Sequence, residues 1–356
     1  MSSNSNPLFS PDAVFVDETV SSEPLVQQIL ARLDGVPRCV VRGDKGLRAK
    51  LEDAAGSIAR QKKHLFLAGK RGAWLKRFRA NECGDTVEQY YLTHIHGCPM
   101  DCEYCYLQGY FETHVPTVYV ELDELFDAVR EAIAQNPEKA KRFHVGELCD
   151  ALALDHLVTL SPPLIEIFGT ARNATVEFRT KTTNVESLLA TEPNENVVVS
   201  WTFTPANVAQ AYERGAASVQ ARIDAARACQ SAGYRVGVRF DPIFRSDTYD
   251  EDYAELISAL AAALSPDRID SVVLGAFRYT AEMERAVRQR DPGTRLFLDE
   301  FVRCGDGKFR YFRPIRLKMY AAIAQRLRSV WPAVPIELAM EPPDLLQTFM
   351  RRYAVA

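Results

Sequence analysis

A chain of 356 residues, 47% hydrophobic and 25% charged, is long and apolar enough for one large or two ordinary soluble domains. Its formal net charge of -4 argues against a protein that coats nucleic acid non-specifically, which needs clustered Lys and Arg. No apolar run reaches about 18 residues, so no transmembrane helix is expected. The polar start, MSSNSNPLFSPDAVF, lacks the basic-then-apolar order of a signal peptide. The expected location is cytoplasmic, where cysteines are more often metal ligands, catalytic or buried than disulfide-bonded.

Residues 1–85 read as an N-terminal segment that packs on the larger domain after it. They carry a basic cluster, Arg60, Lys62, Lys63, Lys70, Arg71, Lys76, Arg77 and Arg79. From residue 86 short apolar runs alternate with helical patterns. Strands are predicted over 90–96, 143–148, 175–181, 196–203, 235–243 and 271–277, and helices over 121–135, 155–169 (after its prolines), 218–233 and 250–264. Gly233 reads as a helix stop. Such alternation predicts an α/β fold with a parallel sheet, here a partial (β/α)6 barrel over 86–282. Polar residues near strand ends, Glu147, Lys181, Ser200 and Asp241, mark the barrel mouth. A doubly wound sheet is the competing fold, but it would usually carry a Gly-rich turn where this chain has cysteines. Residues 283–356 form a C-terminal extension: a basic hairpin-like stretch, a helix around 314–330 and a short strand over 335–341.

The stretch YLTHIHGCPMDCEYCYLQGYF places Cys98, Cys102 and Cys105 within eight residues. The spacing C-x3-C-x2-C suits a loop around a 4Fe–4S cluster. Three thiolates hold three irons and the fourth iron stays open for a substrate or cofactor. The alternatives are a zinc site completed by His94 or His96, or unrelated buried thiols. Zinc sites usually bring two separated ligand pairs, which this stretch lacks.

The loop resembles that of radical S-adenosylmethionine (SAM) enzymes, and GCPMDCEYCYLQ is similar to the loop of the spore photoproduct lyase family. Further likeness runs in order through KHLFLAGKRG, VYVELDEL, ALDHL, RTKTTNVESLL, ARIDAARACQSAGYRVGVRFDPI, LGAFRYT, TRLFLDE and PIELAME. The resemblance implies that the open iron chelates SAM and that one electron cleaves it to a 5′-deoxyadenosyl radical. It implies Gly146 and Glu147 at the SAM amino group, and Lys181 and Ser200 near its carboxylate. It also implies an electron donor such as a flavodoxin or ferredoxin, and lesion-containing DNA as partner. Tyr104 and Tyr106 flank the last cysteine, where the family returns hydrogen to the cofactor radical.

One departure stands out. The family quenches the product radical with a thiol a few residues before an Asp-His pair, here Asp155-His156. Counting back without a gap puts Glu147 there, with Cys149 two residues on. On a strand, i and i+2 share a face, so Cys149 is the candidate donor. The segment RCGDGKFRYFRP (303–314) stands where the family has a DNA-inserting hairpin. Lys308, Arg310 and Arg313 are its candidate phosphate contacts, and Asp306-Gly307 its turn. The leading expectation is a radical SAM lyase acting on a thymine lesion in DNA. The alternatives are a radical enzyme for another substrate, a peptide or modified nucleobase, and a non-catalytic metal protein that binds DNA.

Overall fold

The computed structural model describes residues 8–54, 57–78 and 87–353. The strands, in chain order, begin with β1 (Ala13–Asp17), β2 (Arg38–Val41) and β3 (His64–Ala68). Next come β4 (Leu75–Phe78), β5 (Val87–Leu92), β6 (Ile95–His96), β7 (Asp101–Cys102) and β8 (Thr117–Tyr119). The middle of the chain supplies β9 (Ala140–Val145), β10 (Ala174–Thr180), β11 (Val197–Thr202), β12 (Glu213–Arg214), β13 (Arg235–Ile243) and β14 (Ile269–Ala276). Four short strands close it: β15 (Arg278–Tyr279), β16 (Phe301–Arg303), β17 (Phe309–Tyr311) and β18 (Ile336–Leu338).

Six strands, β5-β9-β10-β11-β13-β14, pair in parallel and carry the expected (β/α)6 unit. Parallel β18 and antiparallel β4 extend its two edges to an eight-stranded half-barrel that does not close. Alternation along each strand decides what faces where. Phe143, Phe178, Trp201, Val238 and Phe240 are fully buried on the outer face. Helices cover them: Phe143 meets Phe168 of Ser161–Gly169 edge-on at 5.1 Å, and Phe240 meets Tyr253 of Tyr249–Ala263 at 6.1 Å. Burying each such ring contributes about 1.5–3 kcal/mol. The inner face is polar, and Arg142, His144, Glu177, Arg179, Ser200 and Arg239 line it.

Helix signals in the sequence are used as read. Ser218 caps Val219–Ser231, its hydroxyl accepting from Ala221 N at 3.3 Å, and Gly233 ends the turn at φ 111°. Asp155 sets the start of Ser161–Gly169 by accepting from Leu160 N at 2.8 Å and Ser161 N at 3.0 Å. Its neighbour His156 ties the barrel to the N-terminal segment through Phe9 O at 2.9 Å.

Two predicted strands move. The strand over 90–96 stops at Leu92, and Ile95–His96 leaves to join the N-terminal sheet, β2-β1-β3-β8-β6. The strand over 143–148 lies at Ala140–Val145, because Gly146 turns the chain at φ 103°. The boundary expected at 85 is crossed both ways: β4 joins the barrel sheet, while β6 and β8 join the N-terminal one. Among the described residues, no helix is long and apolar enough to cross a membrane.

Candidate active site

The cysteine loop sits at the C-terminal end of β5, at the barrel mouth. Its middle, β7, pairs with β12, setting Cys102 opposite Glu213. The Gln108 amide donates to the carbonyls of Glu103 at 2.7 Å, Cys102 at 3.2 Å and Cys105 at 3.4 Å. Asp101 gathers three cations: Arg290 at 2.7 Å, Lys62 at 3.6 Å and Arg214 at 3.8 Å. The N-terminal segment, the barrel and the C-terminal extension thus each pin the loop through one carboxylate. Cys98, Cys102 and Cys105 are free thiols. Burial, then Asp150, pushes Cys98 up to about 12 while Lys62 opposes. Burial likewise pushes Cys102 up to about 12, with Lys181 opposing. Three free thiols flanked by two ammonium groups are a donor set that fits a thiolate-bound metal cluster. His94 is fully buried with neither ring nitrogen hydrogen-bonded, and His96 Nδ1 meets the Tyr119 hydroxyl at 2.8 Å. Among the described residues, no three His, Cys, Asp or Glu side chains are grouped to hold a single metal ion.

The loop after β9 carries the next group. A Cβ at Gly146 would lie 2.9 Å from Arg179 O and 3.1 Å from Ala151 N, so both φ and space require glycine. Asp150, buried, fastens this loop to the end of β10: it accepts from Leu152 N, Ala153 N, the Thr180 hydroxyl and Lys181 N at 2.7–3.0 Å. Gly97 N bonds Leu148 O at 2.9 Å and joins this loop to the cysteine loop. Cys149 lies beyond the strand, so the same-face argument does not place it. The turn still sets it, buried, in the field of Cys98 and Glu147. Burial, then Cys98, pushes its thiol well up, so it is a protonated S–H. The Tyr106 hydroxyl donates to the Glu147 carbonyl, and the Glu147 carboxylate reaches Arg179 at 3.9 Å.

Lys181 follows β10, with its ammonium 5.7 Å from the Tyr104 ring centroid. It makes no ion pair among the described residues. Tyr104 is buried and donates to Glu213, which also holds the fully buried Arg222. Ser200 lies deeper: it is fully buried, and its hydroxyl donates to Glu177 at 2.7 Å. The hydroxyl-bearing residue at the level of Lys181 is Thr202, since Thr180 pairs with Trp201.

The expected hairpin is present: β16 and β17 are antiparallel, with Gly307 at φ 81° in the connection. Its three candidate phosphate contacts are already paired. Arg310 is buried and bidentate to Asp306 at 2.7 and 2.8 Å. Lys308 reaches Asp306 at 3.5 Å, and Arg313 reaches Asp344 at 2.8 Å. In the N-terminal basic cluster Lys62 is buried on the cysteine loop and Arg77 pairs with Glu88 at 2.9 Å; Arg79 lies outside the described residues.

Sequence reasoning missed Asp101, Asp150 and Glu213, whose partners are distant in the chain. It also missed the ion-lined lumen, although a signal was there: Glu177 and Arg179, and Arg235, Arg239 and Asp241, recur with period two inside otherwise apolar strands. Glu177 accepts from His144 at 2.8 Å and from Arg179 at 3.0 Å. Below them Asp270 takes Arg235 at 2.6 Å and Arg142 at 2.7 Å.

A sequence model of one family, described as spore photoproduct lyase, matches residues 9–339. The chain belongs to the spore photoproduct lyase family. Members of that family are radical SAM DNA-repair enzymes. A spore photoproduct lyase from Geobacillus sp. (strain Y412MC61) is 32% identical over 224 residues, 60% of this chain and 66% of that protein. The Bacillus subtilis (strain 168) spore photoproduct lyase is 27% identical over 259 residues, 70% of this chain and 75% of the relative. A solved spore photoproduct lyase complexed with dinucleoside spore photoproduct superposes with a TM-score of 0.82 at 23% identity, covering 94% of this chain and all of its own. A mutant spore photoproduct lyase with bound AdoMet and dinucleoside spore photoproduct gives 0.79 at 24% identity, covering 93% of this chain and 99% of its own.

Proposed function

We propose that this chain is a radical SAM lyase that splits a thymine photolesion in DNA, as the named relatives of its family do. The observation that carries the reading is the meeting, at one barrel mouth, of the three-thiol loop, the unpaired Lys181 and the Tyr106–Glu147–Cys149 turn. The loop thiols would hold a 4Fe–4S cluster. Such a cluster, with SAM bound, would supply the one-electron chemistry that makes SAM a source of a hydrogen-abstracting radical.

The protein's own residues do the rest. Lys181 offers an ammonium to the SAM carboxylate, with the Thr202 hydroxyl at its level, while Glu147 offers a carboxylate to the amino group. Ser200 acts one layer below, holding Glu177 and through it Arg179. Asp150 keeps Lys181 and Cys149 at fixed separation by bonding the backbone on both sides. Cys149 carries a transferable hydrogen on sulfur; once that is given up, Tyr106, held by the Glu147 carbonyl, would pass it a hydrogen and take one back from 5′-deoxyadenosine, returning the radical to the cofactor side. Tyr104, behind Lys181, is the second relay tyrosine. An external electron carrier, of the flavodoxin or ferredoxin kind, completes the cycle.

A second reading has its own observation. Glu147 stands at the family's thiol position and the lumen is lined with arginines, which favours a more anionic or modified substrate on the same machinery. Anaerobic loading with iron and sulfide tests the shared part. A brown protein with about four irons per chain is expected, and loss of that iron when the three cysteines become Ala. Stoichiometric zinc instead would overturn the cluster.

A further inference from the structure

We propose that Arg239, with Arg179 and Arg278, forms an oxyanion subsite inside the half-barrel that takes the backbone phosphate of a thymine dinucleotide. The inference rests on the lumen being the substrate chamber, as the proposed function has it, and names the group that the substrate brings there.

The site is built by register. Arg179 on β10 stands opposite Ser200 on β11, which stands opposite Gly237 on β13. Two residues on, Arg239 pairs with Thr202. A Cβ at Gly237 would fall 2.0 Å from the Ser200 hydroxyl, and one at Gly275 2.5 Å from the Asp241 carboxylate. The glycines therefore leave the room that the Ser200 hydroxyl and the Asp241 carboxylate, with Arg278 beside it, occupy.

Arg239 is the most loosely held of the three. Arg278 holds Asp241 at 2.9 Å and Arg179 holds Glu177 at 3.0 Å. Arg239 shares both carboxylates at longer range, 3.5 Å from Glu177 and 3.6 Å from Asp241. Its side chain is only 11% exposed. A buried guanidinium with second claim on its partners is costly until an anion completes its shell. Burial, then the neighbouring Arg179, pushes its pKa down, while Glu177 and Asp241 oppose. A planar fork of donors suits a phosphate's paired oxygens.

The exterior points the same way. Lys308, Arg310 and Arg313 each have a carboxylate partner, Asp306 or Asp344, with which a duplex phosphate would compete. Inside the half-barrel, Arg239 is shared between two carboxylates at 3.5 and 3.6 Å. Thymine rings are neutral, so the phosphate that joins two thymidines is the anionic part of such a ligand nearest the reacting bases. The competing oxyanion is the carboxylate of SAM itself, since Lys181 stands at the level of Arg239.

The test uses the cluster-loaded protein under anaerobic conditions with thymidylyl-thymidine and its isosteric, uncharged methylphosphonate analogue. The charged dinucleotide should bind about ten- to hundred-fold more tightly. Arg239→Met should remove most of that difference, and Arg239→Lys should retain part of it. Equal binding of the two ligands by the wild-type protein overturns the subsite. If Arg239→Met keeps the phosphate preference and loses SAM affinity instead, the oxyanion is the cofactor's and the proposal also falls. Circular dichroism and SAM titration of each variant separate a misfolded protein from one that lacks only the phosphate partner. Lesion turnover is measured separately, so the phosphate preference can fail while the lyase reading stands.

Discussion

The Tyr104 hydroxyl donates to one oxygen of the Glu213 carboxylate, whose other oxygen takes Arg222. All three side chains are buried, and Arg222 is anchored further by the carbonyls of Ala217 at 2.8 Å and Thr202 at 3.0 Å. The arrangement fixes the tyrosine behind Lys181 and ties the cysteine loop to β11.

Removing Glu213 leaves an uncompensated buried guanidinium. Glu213→Ala should destabilise the fold by about 3–5 kcal/mol in urea unfolding, and adding Arg222→Met should recover much of it. The pair also has a pH signature. Burial raises the Glu213 pKa, but Arg222 and Lys181 outweigh it and the net shift is downward. The stabilisation is therefore complete above the unfolded-state pKa of about 4.5, and is lost as pH falls through the lower folded value. A loss under about 1 kcal/mol in Glu213→Ala would show that the ion pair does not form.

Lys181→Ala should weaken SAM binding about ten- to hundred-fold, the usual loss for a charge-assisted bond, while iron content stays that of the wild type. Equilibrium binding to the cluster-loaded protein measures it. Unchanged affinity would assign Lys181 to the Tyr104 ring alone.

Much of the fold is legible in the sequence. Strand–helix alternation places β10, β11, β13 and β14 within two residues, because each is a continuous run bounded by turn chemistry. The cluster loop declares itself by spacing. Cys149 does not: reading it by strand alternation requires β9 to continue, and one left-handed glycine, Gly146, ends it. Ser200 reads as a strand-end hydroxyl, yet its pairing with Glu177 depends on a neighbouring strand that no local pattern specifies. Arg310 looks like a free cation in the sequence because its partner, Asp306, reads there only as a turn residue.

Cys149→Ala should still yield 5′-deoxyadenosine, but on lesion-bearing DNA repaired thymine should give way to radical-trapped adducts. The thiol is the best hydrogen-atom donor on this turn, since the Glu147 carboxylate supplies protons only. Product analysis by mass spectrometry reads the split, and clean repair by the variant would make Cys149 structural.

Replacing Lys308 and Arg313 together should lower the log–log salt slope of DNA binding by about 0.7–0.9 for each phosphate they neutralise. Arg310→Ala should instead loosen the hairpin, because its bidentate bond to Asp306 closes the turn. A slope unmoved by the double change would remove the hairpin from the DNA interface.

The most direct measurement is anaerobic turnover by the reconstituted protein with SAM and reductant, with and without DNA carrying the spore photoproduct. The expected result is 5′-deoxyadenosine together with lesion-dependent formation of repaired thymine, both lost when Cys98, Cys102 and Cys105 are replaced. Vigorous SAM cleavage with no repaired thymine would contradict the lyase reading and assign the half-barrel to a different substrate.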